Sequence, residues 1–177
     1  MWLDATLRRR ENMDPGIKGE NWSVHGGGFY RTQKYLVAPE TMPEELHWFR
    51  WEAYMTWLTG FFLLVVIYYW GASVYTIDPL KAEIPVWAAI AISLAGLAGG
   101  WLFYDALCRS PLKDRPAVLF AVLFAAIVAA TLAYGFVFSG RATFIQVGAM
   151  IGTIMVANVA MVIIPNQRVV VADLKAG

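Results

Sequence analysis

Residues 84–108 read IPVWAAIAISLAGLAGGWLFYDALC, and Asp105 is the one charged residue in the run. A helix needs about 20 predominantly apolar residues to cross a hydrocarbon core of about 30 Å. This run is long enough. Three others flank it, over residues 51–75, 116–138 and 142–164. Each is punctuated by turn formers or charge: Asp78-Pro79, Ser110-Pro111, Ser139-Gly140-Arg141 and Pro165-Asn166. Such residues stop helices. In lipid every backbone N–H and C=O needs a partner within the segment, so four helices are predicted. The runs do not alternate apolar with polar residues, as strands of a membrane barrel would.

The composition agrees. The chain of 177 residues is 59% hydrophobic and 15% charged, against about 25% charged in a soluble domain. Its mean hydropathy is +0.53. A net charge of +1 leaves no basic excess for a nucleic-acid partner. The lone cysteine, Cys108, excludes an internal disulfide and any CxxC or CxxCH motif. The expected fold is an all-α integral membrane protein. Residues 1–50 form a polar segment with the HGGGFY loop, and residues 51–177 a four-helix membrane domain. No cleavable signal peptide is read in MWLDATLRRR, which has no apolar stretch before its arginines.

Basic residues set the expected orientation. Arg8, Arg9, Arg10, Lys18, Arg31, Lys34 and Arg50 precede the first span. Arg109, Lys113 and Arg115 lie between the second and third, and Arg168 and Lys175 follow the fourth. Only Lys81 and Arg141 occupy the opposite loops. Positive residues stay cytoplasmic, so both termini are placed there. Trp48, Trp51, Trp57, Trp87, Trp101 and Tyr104 fall near span ends, where amphipathic rings favour the interface.

Within the spans, Gly96 and Gly100 are four residues apart, as are Gly148 and Gly152. Small residues at this spacing let helix backbones approach, within the chain or against another subunit. Asp105 is a site candidate because ionisable groups are costly inside a membrane. Arg109, four residues on, shares its helix face, so a helix-end ion pair is the simpler reading. Glu52 opens the first span as an interfacial acid or a favourable first-turn charge. Gln146 and Asn158 can bond across helices or to a cofactor, and Asn158 is read as an interhelical contact.

The segment His25-Gly26-Gly27-Gly28-Phe29-Tyr30 stands apart. Three glycines open backbone conformations closed to other residues. They serve either an anion-binding nest of N–H groups beside an imidazole, with Tyr30, Lys34 and Tyr35 following, or a flexible turn. The pattern lacks the GK[ST] of a P-loop and is no dinucleotide fingerprint. His25 and His47 come without a ligand cluster, so no metal site is assigned.

HGGGFYRTQKYLVAP, ELHWFRWEAYMTWLTGF, AIAISLAGLAGGWLFYDALCRSPL, FSGRATF and VGAMIGTIMVANVAMVIIPNQR together resemble the N-terminal membrane domain of bacterial membrane-bound urate oxidases (urate hydroxylases). The likeness covers nearly the whole chain. It implies urate oxidation, electrons leaving through haem to a cytochrome c partner, and residence in the bacterial inner membrane. By the same likeness His25 and His47 contact urate or haem. Asp105 joins them as a catalytic candidate that orients Arg109. Gly26, Gly27, Gly28, Tyr30, Lys34 and Arg109 hold the ligand. The chain looks like a truncated member, without a preceding helix and without the cytochrome c domain and its CxxCH. Gln146 stands where the family is expected to carry histidine. Two readings follow. One is a piece of a urate oxidase completed by other polypeptides. The other is a non-catalytic accessory subunit of a larger respiratory or photosynthetic complex, contacting lipid and partner helices.

Overall fold

Unlike an all-helical chain, residues 17–35 pair as two antiparallel strands. The structure, a computed structural model, describes residues 2–176, and side chains from residue 4 onward. A short helix α1 (Trp2–Thr6) precedes strands β1 (Ile17–His25) and β2 (Gly28–Tyr35). Then come α2 (Arg50–Leu64), α3 (Ala72–Tyr75), α4 (Val86–Arg109), α5 (Pro116–Val137), α6 (Gly140–Asn158) and α7 (Ile164–Ala176). Two wide π-type turns, Val65–Trp70 and Val159–Ile163, follow α2 and α6, and a 3₁₀ turn, Pro111–Asp114, links α4 to α5. The chain divides into two units, residues 1–47 with 165–177, and residues 48–164.

In the first unit the hairpin is the correction to an all-α fold, and its cause is local. NWSVH and FYRTQKY carry the β-branched and aromatic residues that suit strands. Gly26 and Gly27 take φ of 56° and 80°. A two-residue hairpin turn of the type matching strand twist needs positive φ at both central positions, which glycine supplies. His25 then faces Gly28, Ser23 faces Tyr30 and Trp22 faces Arg31. The chain around Arg8 adds a bridge to β1 through Arg8 N–H to Glu20 O at 2.8 Å and Glu20 N–H to Arg8 O at 3.0 Å. Ala38 N–H donates to the Leu174 carbonyl of α7 at 2.9 Å.

In the second unit α6 packs against α2, α4 and α5. The core gathers Leu64, Tyr68, Tyr69, Leu97, Tyr134, Phe138, Val147 and Met150. Four helical stretches are long and apolar enough to cross a membrane: Arg50–Trp70, Val86–Arg109, Pro116–Val137 and Gly140–Ala176. The last continues past Pro165, although proline was expected to end it. Pro165 is the second residue of α7, an early position where its missing N–H costs little, and it follows a wide π-type turn. Ser139 caps α6 by accepting from Ala142 N–H at 3.3 Å.

One end of this unit is fastened. Ile77 and Phe138 form a β-bridge. Ser139 N–H donates to Thr76 O at 2.9 Å, and Ser139 Oγ to Tyr75 O at 2.7 Å. Lys81 Nζ reaches Phe138 O at 3.0 Å. Thr76, 1% exposed, donates from Oγ1 to Tyr68 O at 2.5 Å. Together they join the α3–α4 and α5–α6 connections.

Candidate functional site

The polar centre of the helical unit is a chain of three side chains. Tyr69 Oη lies 2.7 Å from Ser93 Oγ. Ser93 Oγ donates to Gln146 Oε1 at 2.6 Å. Ser93 and Gln146 are fully buried. With Tyr69 donating to Ser93, every oxygen is satisfied. The Gln146 amide nitrogen is not: it is buried with no hydrogen-bond partner. Exchanging the amide O and N would only move the deficit to the oxygen. Tyr69 comes into this row through the wide turn at 65–70, which buries both Tyr68 and Tyr69 although they are adjacent.

Gly96, one turn beyond Ser93, is the seat of Tyr134. A Cβ on Gly96 would lie 1.6 Å from the Tyr134 hydroxyl, and one on Gly100 would lie 2.5 Å from Met150 Cγ. These two glycines therefore admit α5 and α6 of the same chain. Gly148 and Gly152 differ, since a Cβ on either would meet nothing within 4 Å. A second cross-helix bond ties α2 to α6, from Trp57 Nε1 to Thr153 Oγ1 at 3.0 Å.

Beside this centre runs an apolar groove of about 630 Å³ between α4, α5 and α6. Gly99 and alanines of α5 form much of its wall, with Tyr104, Tyr134 and Asn158 as its polar-bearing residues. Two further grooves, of about 490 and 530 Å³, lie along α2 and α6. The second of these contains Gly148 and Gly152.

The residues nominated from sequence are distributed over both units. His25 sits exposed at the end of β1, and Gly26 and Gly27 make the turn. Gly28 opens β2 against the Tyr30 ring, its added Cβ lying 3.3 Å from Tyr30 Cε2. The exposed Lys34 ammonium is paired with Asp4, and this hydrogen bond is the main reason the Asp4 carboxyl titrates below its usual range. His47, also exposed, closes the first unit. In the second unit Arg109 Nε contacts Asp105 Oδ2 at 2.8 Å, with Arg109 largely exposed. Asn158 lines the groove. Lys34 and Arg109, nominated to hold an anion, thus each have a carboxylate partner.

The first unit has an unforeseen cluster around Glu20. This buried carboxylate accepts from Trp22 Nε1 at 2.9 Å and Arg31 Nε at 2.5 Å, and pairs with Arg10 Nε at 3.1 Å. The Arg31 guanidinium lies 5.7 Å from the Trp22 ring centroid. The Trp22 hydrogen bond, helped by Arg31 and Arg10 and opposed by burial, holds the Glu20 carboxyl below its ordinary range. Sequence reading also missed Tyr69, Ser93 and Tyr134. The signal for Ser93 was its place three residues before Gly96 and seven before Gly100, on one helix face.

Haem, implied by the sequence resemblance, can be tested against the donors present. The helical unit contains no histidine, and its polar centre ends in a carboxamide, a poor iron ligand beside imidazole, thiolate or thioether. Among the described residues, no group of three or more His, Cys, Asp or Glu side chains gathers as a metal site. Without an imidazole, the helical unit does not fit a histidine-ligated haem.

Comparison with curated proteins gives no match, and comparison with solved structures gives none. The family model described as urate oxidase N-terminal matches residues 1–177. With the whole length matched, the chain belongs to the urate oxidase N-terminal family.

Proposed function

We propose that this chain is the membrane-embedded module of a urate-oxidising system. It crosses the bacterial inner membrane four times with both termini cytoplasmic, and electrons taken from urate pass to a cytochrome c partner. The family match over the full chain carries this reading. Inverted polarity supports the membrane setting. Of the four largest fully buried side chains, Gln146, Thr76 and Ser93 are polar. Phe120, Phe136, Phe144 and Trp70 are all at least 70% exposed. In water so large an apolar surface would be a liability, whereas lipid solvates it.

Side chains of these types do not carry two-electron oxidation, so a redox partner is part of the reading. The polar hairpin, with His25, Tyr30 and Lys34, is the proposed contact for urate. The test is urate-dependent reduction of cytochrome c in membranes with and without this chain. Loss of the signal on deletion supports the assignment, and a His25→Ala variant then tests the hairpin. An unchanged signal on deletion refutes it.

One observation favours an accessory role instead. Gly148 and Gly152 present open space where a partner helix backbone could settle. Under this reading, gentle extraction yields the chain inside a larger respiratory or photosynthetic assembly, and urate gives no signal.

A further inference from the structure

We propose that the groove between α4, α5 and α6 binds one acyl chain of an anionic phospholipid, with the headgroup phosphate at the connection 110–115. The inference rests on the membrane setting proposed above. The groove's volume, about 630 Å³, falls within the range of about 300–1,000 Å³ typical of small-ligand sites. Its walls are apolar along most of their length. Polar groups mark one end. Tyr104 lies near the end of α4, and Asn158 closes α6, which runs parallel to it. Their hydroxyl and amide groups suit the ester carbonyls of a glycerolipid. The 3₁₀ turn that joins α4 to α5 at this end carries Lys113, with Arg115 following, and only Asp114 opposes them. Arg109 is already held by Asp105 and is not counted.

A partner helix suits this groove less well. Close helix approach uses glycine seats, and here Tyr134 occupies the seat at Gly96 and Met150 the one at Gly100. What remains is open space along Gly99, where an added Cβ would meet nothing within 4 Å. Free phosphate would satisfy the basic residues but leave the groove empty.

The experiment is native mass spectrometry of the full chain released from nanodiscs, with phosphatidylglycerol and phosphatidylcholine in competition and inorganic phosphate as a control. The expected result is one retained phosphatidylglycerol per chain, not displaced by phosphate. Ala126→Phe, which narrows the groove, should abolish retention while helical content by circular dichroism stays unchanged. Neutralising Lys113 and Arg115 to Gln should keep a lipid bound but reduce the anionic preference, by roughly fivefold for each charge. Equal retention of the two lipids by the parent chain overturns the proposal. So does retention unaffected by Ala126→Phe, or a fall from dimer to monomer in that variant, which would assign the groove to a second copy. If Ala126→Phe fails to fold, the Gln variants decide alone: an unaltered lipid preference overturns the headgroup assignment and the proposal with it. A chain released from membranes by alkaline carbonate refutes the membrane setting and this site together. A chain that stays inserted without lipid preference refutes this site only.

Discussion

Gln146 carries two opposed terms. Its oxygen accepts one hydrogen bond, and its nitrogen is buried without a partner. Leaving a buried donor unsatisfied costs about 1–3 kcal/mol, while one hydrogen bond contributes about 0.5–1.5 kcal/mol. Gln146→Met keeps the volume and removes the orphan, and Ser93 can turn its hydroxyl to a carbonyl one turn back. The variant should therefore unfold at or above the parent's temperature in detergent, whereas Gln146→Ala should lose about 2–5 kcal/mol through its cavity. A large loss in Gln146→Met would mean that the amide has a partner, such as an ordered water. Gly96 gives a complementary case. Gly96→Ala drives a methyl into the Tyr134 hydroxyl, whose ring is stacked on Phe138. Overpacking of this kind costs about 1–3 kcal/mol. Tyr134→Phe in the same chain should recover part of that loss, and Gly99→Ala, with open space around it, should cost none. Thermal unfolding of the three variants checks the order.

At the scale of elements, the helices were legible and the hairpin was not. Four apolar runs bounded by Pro, Gly and charge told where helices would start and, except at Pro165, where they would stop, because apolar length is a strong signal. The hairpin had its own signal, Gly26-Gly27 between strand-forming runs. It was obscured because three glycines in a row also fit a nest. The π-type turn that places Tyr69 has no sequence signature comparable to a proline. Glycine in the turn is testable: Gly26→Asn should be tolerated, since Asn-Gly suits this turn, while Gly27→Val should loosen the hairpin. Limited proteolysis between residues 17 and 35 would report it. The hairpin should also respond to acid. Glu20 titrates below its ordinary range, so its contribution is full above that range and is lost as pH falls through the lowered value. Trp22 fluorescence should shift on acidification, and Glu20→Gln should remove the shift.

For the whole molecule, the pattern of basic residues makes an orientation test possible with the native chain. Cys108, the only cysteine, is partly exposed near the end of α4. In the proposed orientation an impermeant maleimide labels Cys108 in inverted vesicles and not in right-side-out ones. Leu80→Cys in a Cys108→Ser background, at a position 97% exposed, should show the reverse. Labelling of both from one side would overturn the four-span topology. The candidate site was less legible than the fold. Sequence could nominate His25, Lys34, Asp105 and Arg109 by type, and the four-residue spacing gave the Asp105–Arg109 pair, yet the pairing of Lys34 with Asp4 depends on which side chains tertiary packing brings together.

The bridge between Ile77 and Phe138 has a mechanical consequence. With Lys81 and Ser139 it ties two connections at one end of the helical unit, while the α4–α5 connection at the other end is a single short turn. The bundle is built like a clothes-peg, sprung from the tied end. Its helices can spread at their free ends and widen the slot beneath Tyr104 and Asn158 while the fastening stays intact. Local opening should therefore begin at residues 104–119 and reach 75–81 last, an order that hydrogen exchange would record.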